Sequence, residues 1–132
     1  MVRAFLDANV LFSAAYRPDA GIRRLWRMAA VHLVTSDYAA EEARRNLDTA
    51  EQRANLEALL AALDLVGTPA DRPIAAAPKL PAKDRPILLA AIEARVTHLL
   101  SGDVEHFGPY YGRTVEGVLL LPPAEFLRII PR

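Results

Sequence analysis

The chain contains no cysteine among its 132 residues, which excludes disulfides and thiolate metal sites and is compatible with a reducing compartment. No apolar run approaches the ~18 residues of a transmembrane helix. The charged start, long apolar stretch and small-residue cleavage site of a signal peptide are also missing. The expectation is a cytoplasmic protein with no membrane partner. Net charge is absent too, so charge gives no global argument for or against nucleic acid. Lysine is scarce: beyond Lys79 and Lys83, every basic side chain is an arginine. Guanidinium suits bidentate phosphate contact, but a GC-rich coding bias raises Arg and Ala together and explains the same composition. With no internal repeat or low-complexity stretch, the length fits one domain over residues 1–132.

Hydrophobic residues are 52% and charged residues 24%, the balance of a soluble globular protein able to bury a core without staples. The most informative stretch is Val2 to Ser13. Val2, Ala4, Phe5 and Leu6 read as a short buried strand, Asp7 to Asn9 as a turn, and Val10, Leu11 and Ala14 as the core face of a short helix. Asp7 therefore stands at the carboxyl end of a strand, where open α/β sheets place ligands. An N-cap role for the same carboxylate fits equally well.

Ile22, Leu25, Trp26 and Ala29 recur at helical spacing, with Arg23, Arg24 and Arg27 mainly opposite, so the segment reads as an amphipathic helix whose basic face is either solvated or a phosphate rim. His32 to Thr35 is a strand, and Ser36 a suitable N-cap for a helix over Asp37–Asp48. In projection Ala39, Ala40, Ala43 and Leu47 form one arc of that helix, Glu42 and Asn46 lie on its margin, and Glu41 faces water. Glu51 to Leu63 continues as a helix, Leu65 and Val66 as a short strand, and the proline-bearing Thr68 to Lys83 as an irregular surface connection. Asp84 to Val96 starts with a capping residue and Pro86 in its first turn. Thr97–Ser101 and Gly117–Leu121 are strands, and Pro122–Ile130 closes the chain as a helix. This alternation implies an α/β fold with a mostly parallel sheet covered on both faces.

In a parallel sheet the strand ends at Leu6, Thr35 and Leu100 open on one edge. Asp7, Ser36 and Asp103 then border one crevice, with Glu42 down its helix and Asp84 at a helix start facing the same way. Two carboxylates ~4 Å apart repel by roughly 4 kcal/mol at an effective dielectric of 20, so such a set either protonates or holds a divalent cation. Oxygen ligands without cysteine or paired histidine point to Mg²⁺ or Mn²⁺. His32, His98 and His106 have no metal-ligand spacing and read as ordinary residues. Metal-dependent phosphodiester hydrolysis is the chemistry such a site supports.

The order FLDANVLFSA, VTSDYAAEEARRNL, AKDRPILLAAIEA and THLLSGDVEHFG resembles PIN-domain nucleases, most closely the VapC-like toxin components. Over nearly the whole chain, the resemblance implies a three-layer sandwich, RNA cleavage, a homodimer and a cognate antitoxin. Residue by residue it implies Asp7, Glu42, Asp84 and Asp103 as metal-binding and catalytic groups, with Asn9 and Ser36 in support. One departure stands out: His106 occupies a position where many relatives carry an Asp, and Glu105 is its neighbour. Two other readings stay open. A receiver- or phosphohydrolase-like signalling domain also uses Asp at strand ends, although Asn9 stands where a second acid is wanted and the last strand has no Lys. A catalytically silent binding protein could keep the fold, although all four acids are present.

Overall fold

The structure is a computed structural model and describes residues 1–130. Its elements are β1 (Val2–Leu6), α1 (Ala8–Tyr16), β2 (Val31–Ser36), α2 (Asp37–Asn46), α3 (Ala50–Leu60), β3 (Asp64–Val66), α4 (Arg85–Glu93), β4 (His98–Leu100), β5 (Thr114–Val115), β6 (Val118–Leu121) and α5 (Pro123–Ile129). The strands form one sheet in the order β3-β2-β1-β4-β6-β5. All neighbours are parallel except β5 and β6. The α/β expectation holds, with helices flanking a mixed, mostly parallel sheet.

The chain runs outward from β1 through β2 to β3, then returns to the other side of β1 as β4. The junction of β1 and β4 is therefore the switch point of the sheet, where the connections diverge and leave a crevice beyond the carboxyl ends of the strands. Leu6 pairs with Leu100 there, and the Asp7 amide donates to the Leu100 carbonyl at 3.0 Å. Leu6, Leu100, Phe5, Leu11, Leu88 and Phe107 are fully buried beneath it, so the crevice stands on a packed floor.

Several elements differ from the sequence expectation. Gly21–Arg27 is a 3₁₀ helix, because the i, i+3, i+4 apolar spacing over so short a segment suits either period. Two of its arginines are spent on packing: Arg23 Nε donates to the Ala14 carbonyl at 2.7 Å and Arg24 Nη2 to the Leu127 carbonyl at 2.7 Å. Of the three arginines offered as a phosphate rim, only Arg27 stays exposed. The helix beginning at Asp37 stops at Asn46 rather than Asp48, because Thr49 and Gln52 form a reciprocal capping box that starts α3. Helix α4 ends in a Schellman turn, with Val96 N–H on Ala91 O and Arg95 N–H on Ile92 O; Arg95 takes the left-handed position at φ 56° that glycine usually fills. The last strand is one arm of a hairpin. Glu116 (φ 46°) and Gly117 (φ 89°) make the two-residue turn that the unpredicted β5 needs.

The connection from Thr68 to Lys83 has no helix or strand, as expected, but it is not merely superficial. Ile74, Ala77 and Leu80 are buried in the core. Arg72 clamps Glu116 at 2.7 and 2.9 Å, and Arg85 holds Asp71 at 2.9 and 3.0 Å. Among the described residues, no helix is long and apolar enough to cross a membrane.

Candidate functional site

Asp7 leaves β1 at the switch point and is only 4% exposed. Both of its oxygens are hydrogen-bonded, and one of them takes the cap role that the sequence offered. Oδ1 accepts the Ala8 amide at 2.7 Å, as a helix cap does, while Oδ2 accepts the Ser101 hydroxyl at 2.7 Å and the Asn9 amide nitrogen at 3.1 Å. Burial pushes its carboxyl up to about 6, although the Ser101 and Ala8 hydrogen bonds pull the other way, and Glu42 and Asp84 add repulsion.

Asn9 ties this carboxylate to the loop after β4. Its Nδ2 also lies 3.3 Å from Ser101 Oγ, and its Oδ1 accepts the Gly102 amide at 2.7 Å. A Cβ at position 102 would stand 3.3 Å from Asn9 Oδ1, so the close approach favours glycine. Ser101, buried at 1% exposure, was read only as the end of a strand. Its hydroxyl donates to Asp7 and accepts the Asp103 amide at 3.1 Å, fixing two carboxyl-bearing residues with one oxygen. A polar residue closing an apolar strand beside a Gly-Asp pair was the available signal.

Asp103 engages its own turn through Oδ1, which accepts the His106 amide at 3.1 Å, and turns Oδ2 toward the His106 ring, 2.9 Å from Nδ1. Asp84 Oδ2 lies 3.1 Å from the same nitrogen. Asp84 precedes α4 but makes no side-chain cap bond, so its carboxylate is not consumed by its own helix. Burial raises its pKa, His106 and Lys83 oppose the shift, and Asp103 and Glu42 reinforce it. His106, read from the sequence as an ordinary residue, thus stands between Asp84 and Asp103. The turn Asp103-Val104-Glu105-His106 folds its ring back between two acids, which linear ligand spacing could not reveal.

Glu42 is half-buried and Glu41 exposed, as the helical projection required. Glu41 pairs with Arg44 at 2.7 Å, while no side-chain hydrogen bond holds Glu42 among the described residues. Glu42 borders a cavity of about 280 Å³ lined also by Ala8, Asn9, Phe12 and Asn46. Ser36 is fully buried and its hydroxyl caps α2 at the Ala39 amide, 3.1 Å away, so it supports the helix that carries Glu42 rather than touching the acids. Tyr38 donates its hydroxyl to the Lys83 carbonyl at 2.8 Å, holding the chain just before Asp84; burial and then Glu42 and Asp84 raise its pKa. Sequence reasoning gave it no role.

The donor set fits a divalent cation. No lysine or arginine is ion-paired with Asp7, Glu42, Asp84 or Asp103 among the described residues. Asp84 Oδ2 and His106 Nδ1 are buried yet not oriented to hydrogen-bond any partner, and buried orphans of this kind call for one. One donor atom each from Asp84, Asp103 and His106 lies within 4.8 Å of the others.

The architecture around this crevice is shared with solved structures. VapBC2 from Rickettsia felis, bound to a DNA fragment from its promoter, contains a chain that matches with a TM-score of 0.65 at 12% identity, over 92% of this chain and 98% of that one. The chain has the PIN-domain fold. A PIN-fold chain in FitAB bound to an IR36 DNA fragment matches at TM-score 0.58 and 18% identity, covering 91% and 94%. One in FitAcB from Neisseria gonorrhoeae matches at 0.56 and 19%, covering 92% and 98%. No protein-family model and no curated protein sequence matches the chain, so the likeness to PIN domains lies in the fold.

Proposed function

We propose that the protein is a metal-dependent endoribonuclease, the VapC-like toxin of a toxin–antitoxin pair, with residues 1–132 as one PIN domain acting in the cytoplasm. The observation that carries the reading is the cluster of Asp84, Asp103 and His106 beside the β1/β4 switch point, close enough to Asp7 and Glu42 for like charge to raise the pKa of Asp7 and of Asp84, without a pairing lysine or arginine among the described residues. Like charges so placed repel one another unless a cation or protons compensate them.

In this reading Asp7, Glu42, Asp84 and Asp103 would hold Mg²⁺ or Mn²⁺, which when bound would supply an activated water and offset charge on the leaving oxygen of a phosphodiester. Asn9 and Ser101 keep Asp7 and the Asp103 turn in register, Ser36 caps the helix bearing Glu42, and Asn9 and Glu42 border one open crevice. The antitoxin partner is supported by the VapBC2, FitAB and FitAcB complexes that share the fold. The homodimer rests on the family resemblance alone.

The test is cleavage of single-stranded RNA by purified protein in Mg²⁺, in Mn²⁺ and in chelator, with Asp103→Asn alongside. Cleavage that requires a divalent ion and disappears in a folded Asp103→Asn protein is expected. Equal cleavage by both proteins, or cleavage in chelator, would overturn the reading.

A further inference from the structure

His106 sits where the cluster of acids would otherwise be purely oxygen in character. Its Nδ1 is 2.9 Å from Asp103 Oδ2 and 3.1 Å from Asp84 Oδ2, and it satisfies the angular requirement of a hydrogen bond to neither. Those separations match the spacing of neighbouring donors around one ion. Donors at about 2.1 Å from a six-coordinate ion stand about 3 Å apart when adjacent. The ring's other nitrogen, Nε2, lies 3.3 Å from the exposed carboxylate of Glu105. With a cation held between Asp84 and Asp103, a carboxylate at that end would favour the tautomer with hydrogen on Nε2 and leave the Nδ1 lone pair to the ion. The backbone supports the same placement, because the His106 amide is held on Asp103 Oδ1 at 3.1 Å, so ring and carboxylate move as one turn.

We infer that His106 is a nitrogen ligand of the metal centre, oriented by Glu105, and that it makes this site favour Mn²⁺ over Mg²⁺. The inference rests on the metal-centre reading above and specifies which ion that centre selects. Mg²⁺ is hard, dehydrates reluctantly and takes oxygen donors, whereas imidazole strengthens binding of first-row transition ions. One imidazole among carboxylates therefore shifts preference without closing the site to oxygen ligands. Glu105 touches no other acid of the cluster through an ion pair or hydrogen bond among the described residues, so its effect passes through the His106 ring.

The experiment reads metal binding directly, by electron spin-echo spectroscopy and titration of Mn²⁺, with no RNA present. Wild-type protein carrying Mn²⁺ is expected to show modulation from a coordinated ¹⁴N nucleus, which changes to the ¹⁵N pattern when histidine is ¹⁵N-labelled. His106→Ala should lose the modulation and bind Mn²⁺ about tenfold or more weakly, with a smaller change for Mg²⁺. His106→Asp should restore oxygen ligation and Mg²⁺ binding without restoring the nitrogen signal. If Mn²⁺ binds in an Asp103-dependent way with no nitrogen modulation, or if His106→Ala binds Mn²⁺ as tightly or more tightly, His106 is a counter-charge and the inference falls while the metal centre stands. If wild-type protein binds neither ion, the metal centre falls with it. The labelled wild-type measurement needs no variant to fold.

Discussion

At the scale of single residues, the decisive feature is a buried carboxyl that costs stability in its ionised form. Asp7 binds its proton more tightly folded than unfolded, so between the ordinary carboxyl pKa of 3.8 and about 6 the native state carries more protons, and stability falls as pH rises. In chelator, the folded protein should lose about 2 kcal/mol of stability from pH 4 to 7 on account of this one group. Asp7→Asn should flatten that part of the pH profile and abolish the gain from Mn²⁺ at pH 7. Melting both proteins across pH, with and without the ion, checks this, and a wild-type profile in chelator that rises over the same interval would contradict it. The two neighbouring glutamates separate more simply. Glu42→Gln should cut RNA cleavage at least about tenfold, whereas Glu41→Gln removes only an exposed partner of Arg44 and should leave cleavage unchanged. Glu42 was legible because its burial follows from helical period alone. His106 was not, because its place depends on a turn whose closure involves backbone hydrogen bonds.

At the scale of elements, Asp84 tests whether a residue before a helix works as its cap. The carboxylate makes no cap bond to α4, so removing it should not weaken the helix. Asp84→Ala and Asp84→Asn are both expected to be as stable as wild type in chelator or more so, since a half-buried acid among like charges is relieved; both should lose most of the stabilisation by Mn²⁺. A loss of ~1 kcal/mol in Ala but not in Asn would mark a cap instead. Tyr38→Phe deletes the tether between α2 and the Lys83 carbonyl and should cost about 1 kcal/mol by thermal melting. The existence of α2 and α4 was readable from Ser36 and Pro86 as start signals, whereas the Thr49–Gln52 capping box that opens α3 was not read. Element ends and the 3₁₀ segment were not, since short apolar spacing does not distinguish the two helical periods. Strand β5 escaped for a similar reason: a two-residue arm closed by Glu-Gly carries little of the period-2 signal and lacks the usual Asn-Gly or Asp-Gly turn.

At the scale of the whole molecule, the site exists because strands distant in sequence become neighbours. Asp7 and Ser101 are 94 residues apart and share a hydrogen bond, since β4 returns to pair with β1. Parallel strands could be inferred from the alternation of elements, and with them a common edge for Asp7 and Asp103. The pairing of β1 with β4, which turns a common edge into a crevice, appears only when the chain is folded. The central claim is that the acids at this switch point act as one cation site. Its most direct test is a crystal soaked in Mn²⁺ and measured for anomalous scattering. The expected map has a peak at about 2.2 Å from carboxylate oxygens of Asp103 and Asp84, with Asp7 and Glu42 on the same crevice. A map with no peak in the crevice, or with peaks only at exposed acids such as Asp64 and Asp71, would contradict it.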